Sequence, residues 1–158
     1  MNTFSNIVVA IDGSAPSEAA FEAACSLAGD RGGRLTAVFV REPRPSFHAH
    51  HIEWAYADEE TRRAGLTALR RAAEAAHRER GLTIETKLLD GDIVDEIVIY
   101  AKKIRADAIV VGSHGRTGLQ RALVGSVAER LMRTSTVPVL VVVRKLTTAD
   151  ARVDRGVA

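Results

Sequence analysis

The chain of 158 residues has the length of one ordinary domain, enough to bury a core without disulfides or a structural metal. Its 46% hydrophobic and 27% charged residues exclude a disordered or collagen-like chain, and aromatics at 4% require an aliphatic core. The 22 lysines and arginines are interleaved with 20 acids, leaving a net charge of +2; despite a pI near 9.0 there is no basic block for nucleic acid, and a solvated mixed-charge surface is expected.

The first predicted strand, Asn6–Asp12, reads NIVVAID. The segment MNTFSNIVVAID has no basic region ahead of its short apolar run, and nowhere is a stretch long enough to cross a bilayer; a cytoplasmic protein without a membrane partner is expected. A helix follows, with Ala20, Ala23, Ala24, Leu27 and Ala28 on one face, Ser14 as candidate cap and Pro16 in the opening turn. Its Cys25 is the single cysteine, so no internal disulfide can form, and a packed side chain is expected in preference to a catalytic thiol.

The second predicted strand is Arg34–Val40. Beyond it, His48, His50 and His51 in SFHAHHIEW, with Glu53 nearby, have ligand chemistry for a transition metal. Pro43, Pro45 and the mixed polarity argue instead for a loop without fixed geometry, and no metal site is expected. In the next helix Leu66, Leu69, Ala73 and Ala76 share the inward spacing, while the arginines of TRRAGLTALRRAAEAAHRER make a solvated face.

The third strand is predicted at Leu82–Leu89. The third helix carries Ile93, Val94, Ile97, Val98, Ala101 and Ile104 inward, with Asp92 placed to cap it, Asp95 and Glu96 near its positive end and Lys102, Lys103 and Arg105 near its negative end. The fourth strand is predicted at Asp107–Gly112, and the fourth helix has Val124, Val127, Ala128 and Leu131 at helical spacing. The last strand is Pro138–Val143. The polar, patternless end of the chain divides it into a domain over 1–145 and a loose tail over 146–158.

Short Val-, Ile- and Leu-rich strands alternating with helices require parallel pairing, and right-handed crossovers put helices on both faces. The expected fold is therefore α/β: a single-domain, doubly wound, five-stranded parallel sheet. In such sheets ligands bind beyond the carboxyl ends of the strands, where strand order reverses.

The segment GSHGRTGLQRALVGS, residues 112–126, lies at that end. Gly112 closes the fourth strand and Gly115 follows in the loop, where backbone amides without a nearby Cβ could meet a ligand. Gly125 and Ser126 stand where the fourth helix starts, with unpaired N–H groups and a positive dipole end suited to an anion. The segment is thus a candidate phosphate cradle, with Ser126 able to add a hydroxyl; the alternatives are a connector whose glycines only make turns, and a Ser126 that merely caps its helix. It is not a P-loop, because no Lys precedes the hydroxyl residue. Nor is it G-x-G-x-x-G, since the first strand is followed by DGSAPS.

Taken together, G-x2-G-x9-G-S between ADAIVVGSHG and VPVLVVV, with IVVAIDGS at the start, resembles the ATP-binding branch of the universal stress protein family, from Asn6 to about Arg144. The resemblance implies strand order 3-2-1-4-5, homodimers through the last strand, and ATP, with any Mg or Mn held mainly by its phosphates. It implies that Asp12 accepts hydrogen bonds from the ribose or neighbouring polar atoms, and that Val40 meets adenine through its backbone between Ala10 and Val111. Gly112, His114 and Gly115 would hold ribose and the first phosphates; Gly125, Ser126 and Val127 would hold the terminal ones. Asp92-Ile93 departs from the pattern, standing where a proline often follows the glycine that opens the third helix.

A dimer has a separate motive, since an open apolar edge such as Pro138–Val143 invites aggregation unless a partner covers it. The expected function is a nucleotide-dependent stress-response module. An ATP-hydrolysing or phosphate- or adenylate-transferring enzyme is the alternative, although no base is evident for the attacking water and no catalytic residue is assigned. His114 with Asp12 or Ser113 does not make a catalytic set without geometry to support it. A phospho-receiver domain would use Asp12 and Asp90, but the acidic pair after the first strand and the lysine of the last strand are missing.

Overall fold

The computed structural model describes residues 4–29, 32–42, 51–114 and 124–143, the side chains of 51–57 excepted. Among these the elements run β1 (Asn6–Ala10), α1 (Ala15–Gly29), β2 (Arg34–Arg41), α2 (His51–Arg80), β3 (Glu85–Asp90), α3 (Ile93–Lys103), β4 (Ala108–Gly112), α4 (Ser126–Thr134) and β5 (Val139–Val142). The strands form one parallel sheet of order β3-β2-β1-β4-β5, the doubly wound arrangement expected. Strand order reverses between β1 and β4. The tail over 146–158 lies outside the described residues.

Burial on both faces explains the continuous apolar runs. Ile7, Val9, Leu35, Ala37 and Phe39 pack under α1 and α2, whereas Val8, Val38, Ile109 and Val111 pack under α3 and α4. Leu82 and Ile84 carry strand-like residues but precede β3. Gly81 (φ +64) ends α2 in the left-handed region, the Leu82 N–H still bonds the Ala76 carbonyl, and both apolar side chains pack against the α1–α2 core.

The inward face of α2 differs from expectation. Leu69 and Ala76 are buried as expected, but they are joined by Gly65 and Ala72, while Leu66 is 43% exposed. A Cβ on Gly65 would lie 2.8 Å from both Leu88 and Phe39, so the glycine sets how closely α2 settles on β2 and β3. The helix already begins at His51; His48 and His50 lie outside the described residues.

Two carboxylates fasten the sheet and its helices. Asp92 caps α3 by accepting the Val94 and Asp95 N–H groups, and it also forms a two-pronged pair with Arg130 of α4 at 3.1 Å on each prong. Asp107 Oδ2 accepts from the Ser5 N–H (2.8 Å), the Ser5 hydroxyl (2.9 Å) and the Asn6 N–H (2.9 Å), joining the entry of β1 to that of β4.

The Ser5 donors, backbone before side chain, hold the Asp107 carboxyl below its ordinary range. A carboxyl whose value falls on folding contributes stability that is full above its unfolded value, about 3.9, and is lost as pH drops through the folded value. Asp107→Asn is therefore expected to unfold at lower urea than the native chain at pH 7, by about 1 kcal/mol, with the difference narrowing below about pH 4. Urea melts across that range check it.

Candidate functional site

β1 stops short of its neighbour. The Ile11 N–H bonds the Val38 carbonyl at 2.9 Å, and the chain then turns through Gly13 (φ +79) into α1. Along β2 the main-chain groups alternate sides: those of Val38 face β1, and the Arg41 carbonyl faces β3, where it accepts the Gly91 N–H at 2.9 Å. The N–H and C=O of Val40 therefore point toward the space β1 has left. Among the described residues that is a donor and an acceptor without a ladder partner at the switch point.

Asp12 stands on the turn beside this gap. Its Oδ1 accepts the Ser14 N–H at 2.9 Å, and its own N–H donates to Ser17 Oγ at 3.3 Å; Ser17, only 5% exposed, donates in turn to the Ser14 carbonyl at 2.9 Å. The Asp12 carboxylate thus shapes the entry to α1 and lies at the mouth of the gap.

Ala10, Val40, Val111 and Val127 belong to one apolar cluster under α3 and α4, so the topology does bring them together. Ala10 and Val40 remain partly exposed. Val111 is 3% exposed, and its side chain is spent on the core.

Beyond β4, Ser113 is buried (4% exposed); its N–H bonds the Val142 carbonyl at 2.9 Å, and its hydroxyl shares a 3.1 Å hydrogen bond with His114 Nδ1. His114 Nε2 is buried with no hydrogen-bond partner among the described residues, an orphan that a ligand oxygen or nitrogen would satisfy. Among the described residues no carboxylate meets that ring, as an acyl-transfer triad would require.

The N-cap of α4 is Gly125, which corrects the alternative that placed the cap at Ser126, the first helical residue. The Gly125 N–H is used by the Ser113 carbonyl at 2.6 Å, and a Cβ there would lie 3.0 Å from that oxygen and 3.2 Å from His114 Cα. Among the described residues no side chain caps the helix, and the amides of Ser126 and Val127 stand at the dipole's positive end. Gly112 has another constraint: a Cβ would lie 2.7 Å from the carbonyl carbon and oxygen of Pro16, so this glycine lets α1 pack on the end of β4. Gly115 lies outside the described residues.

Two features were not foreseen in the sequence. Arg41, at the end of β2, bonds Asp90 of β3 and lies 3.1 Å from Asp58 of α2. A cavity of about 240 Å³ also opens between α1 and α2, walled by Phe21, Cys25, Ala68, Ala72 and Ala76, away from α4. Burial pushes the Cys25 thiol up to about 11, so it stays protonated at neutral pH.

A doubly wound sheet with an unpaired backbone edge and an uncapped helix start around its switch point belongs to the α/β class that takes ligands beyond its strand ends. Residues 3–143 match the universal stress protein family, and the chain belongs to it. The chain is 38% identical over 143 residues to universal stress protein MJ0531 of Methanocaldococcus jannaschii, covering 89% of this chain and 83% of that protein. It is 35% identical over 147 residues to universal stress protein YxiE of Bacillus subtilis, covering 88% and 99%.

Among solved structures, a universal stress protein family member from Burkholderia pseudomallei superposes with a TM-score of 0.73 at 31% identity, covering 89% of this chain and 96% of that one. A universal stress protein in complex with cAMP gives 0.67 at 28% identity, covering 89% and 97%. That from Archaeoglobus fulgidus in complex with dAMP gives 0.60 at 26% identity, covering 88% and 98%. Among the described residues, no helix is long and apolar enough to cross a membrane.

Proposed function

We propose that this family member is an ATP-binding regulatory module of the stress response, a cytoplasmic homodimer whose nucleotide occupancy changes its stability or its partners. The observation that carries it is the uncapped start of α4 set against the Ser113–His114 turn, where the amides of Ser126 and Val127 suit terminal phosphates. The unpaired Val40 backbone suits the N6 amino group and N1 of adenine, and the mouth of the gap at Asp12 suits the ribose. His114 Nε2 is available for the sugar or the first phosphates. Adenine nucleotides bound to the relatives support the same assignment.

Mg or Mn would arrive with the phosphates, which supply its ligands. Hydrolysis is at most slow: among the described residues no carboxylate orients the Ser113–His114 pair, and phosphoryl transfer needs a group aimed at the attacking water. The dimer uses the β5 edge, where Leu140 (43%) and Val143 (70%) expose apolar surface.

The test is to denature the purified protein, identify any released nucleotide, and record melting with and without ATP. At a hundredfold excess over the dissociation constant, ATP adds about 2.7 kcal/mol, a rise of about 5–10 °C for a domain of this size. A native chain that melts identically with and without ATP would not be an ATP-binding member.

A further inference from the structure

Arg41 continues the row Leu35, Ala37 and Phe39 on the α2 side of β2, at the point where the apolar row ends. Its side chain is only 17% exposed, and two of its guanidinium nitrogens are engaged by carboxylates. Nε donates to Asp90 Oδ1, while Nη1 lies 3.1 Å from Asp58 Oδ2 and 3.5 Å from the Asp58 carbonyl. The Asp90 hydrogen bond, more than the nearby negative charge, raises the guanidinium further above its ordinary value. The Arg41 carbonyl also accepts the Gly91 N–H, so both the main chain and the side chain of this residue are fastened to β3. Exposed ion pairs contribute little on their own, but a planar guanidinium shared by carboxylates from two elements restrains both.

The residue before it has the opposite situation. Val40 lacks the β1 partner that would otherwise keep its N–H and C=O in register, because the ladder to β1 ends at Val38. Strand ends paired on one side only fray more readily. Val40 is held from the β3 side alone, by the ladder through Leu89 and Asp90, and the Arg41 side chain closes the end of that ladder.

We infer that Arg41 is a positioning residue for base recognition: tied to Asp90 and Asp58, it holds the unpaired Val40 edge extended so that a purine can be read by main-chain hydrogen bonds. This rests on the nucleotide assignment made above. The clamp also leaves two carboxylates against one guanidinium, a net negative charge that disfavours phosphates at the β2 end and directs them toward α4.

Arg41→Met keeps the aliphatic stem and removes the fork. Hydrogen exchange at the Gly91 amide, which bonds the Arg41 carbonyl, is expected to quicken about tenfold relative to the Ile11 amide, which bonds the Val38 carbonyl, and Asp90→Ala, which retains the arginine, is expected to act in the same direction. By titration calorimetry, Arg41→Met is expected to weaken ATP about tenfold and to narrow the preference for ATP over GTP, with inorganic tripolyphosphate bound as before. Unchanged Gly91 exchange in both variants would overturn the restraint, whatever binds. An equal loss for ATP and tripolyphosphate would overturn the role at the base and leave a general structural one. If the native chain binds no ATP, the nucleotide assignment falls, and the exchange rates alone decide whether Arg41 holds the edge.

Discussion

Gly112→Ala is expected to destabilise the fold by about 2–3 kcal/mol, a large effect for one methyl group. The added carbon would lie 2.7 Å from the carbonyl carbon and oxygen of Pro16. Both are backbone atoms of the first turn of α1, so no side chain can rotate away. Either the helix start lifts from the sheet or the end of β4 bends. Since α1 packs over β1 and β4 through Ala20, Ala24 and Ala28, all fully buried, a shift at its first turn propagates along a close-packed contact. Denaturant melts measure the loss. Unchanged stability with abolished ATP binding would mean that the glycine serves the ligand and not the helix.

Gly125→Val is expected to act the other way round, with a modest cost to stability and a large one to ligand binding. A Cβ here would lie 3.0 Å from the Ser113 carbonyl oxygen and 3.2 Å from His114 Cα, close enough to push the turn without breaking the core. The isopropyl group also stands at the N-cap of α4, in front of the Ser126 and Val127 amides. The thermal shift with ATP is expected to disappear and affinity to fall about tenfold or more, roughly 1.4 kcal/mol per decade. Full affinity in the variant would place the terminal phosphates somewhere other than α4.

These glycines illustrate what the sequence disclosed and what it did not. Their spacing, one at the end of a strand and one at the start of a helix, marked the segment as a candidate cradle. Which of them meets Pro16 and which meets the Ser113–His114 turn depends on how α1 returns over the sheet, a contact between residues far apart in the chain. The strands were legible because burial on two faces leaves runs such as IVV and AIVV with no polar alternation. The inward face of α2 was harder to read: alanines occur on several sides of that helix, and the deciding residue is Gly65, whose role is set by its distance from Phe39 and Leu88. The Val40 edge was reached only through family resemblance. Its physical cause, the early departure of β1, is a difference in length between two strands.

That difference in length has a thermodynamic corollary. Beside the end of β1, an amide and a carbonyl that face a notch have solvent as their alternative partner, so any guest must exchange with water there. A guest matching both groups breaks even on hydrogen bonds and gains by covering Ala10 and the flank of Val40, whereas one matching a single group strands the other. Selectivity among bases would then come from the penalty imposed on poor matches more than from any reward for the right one.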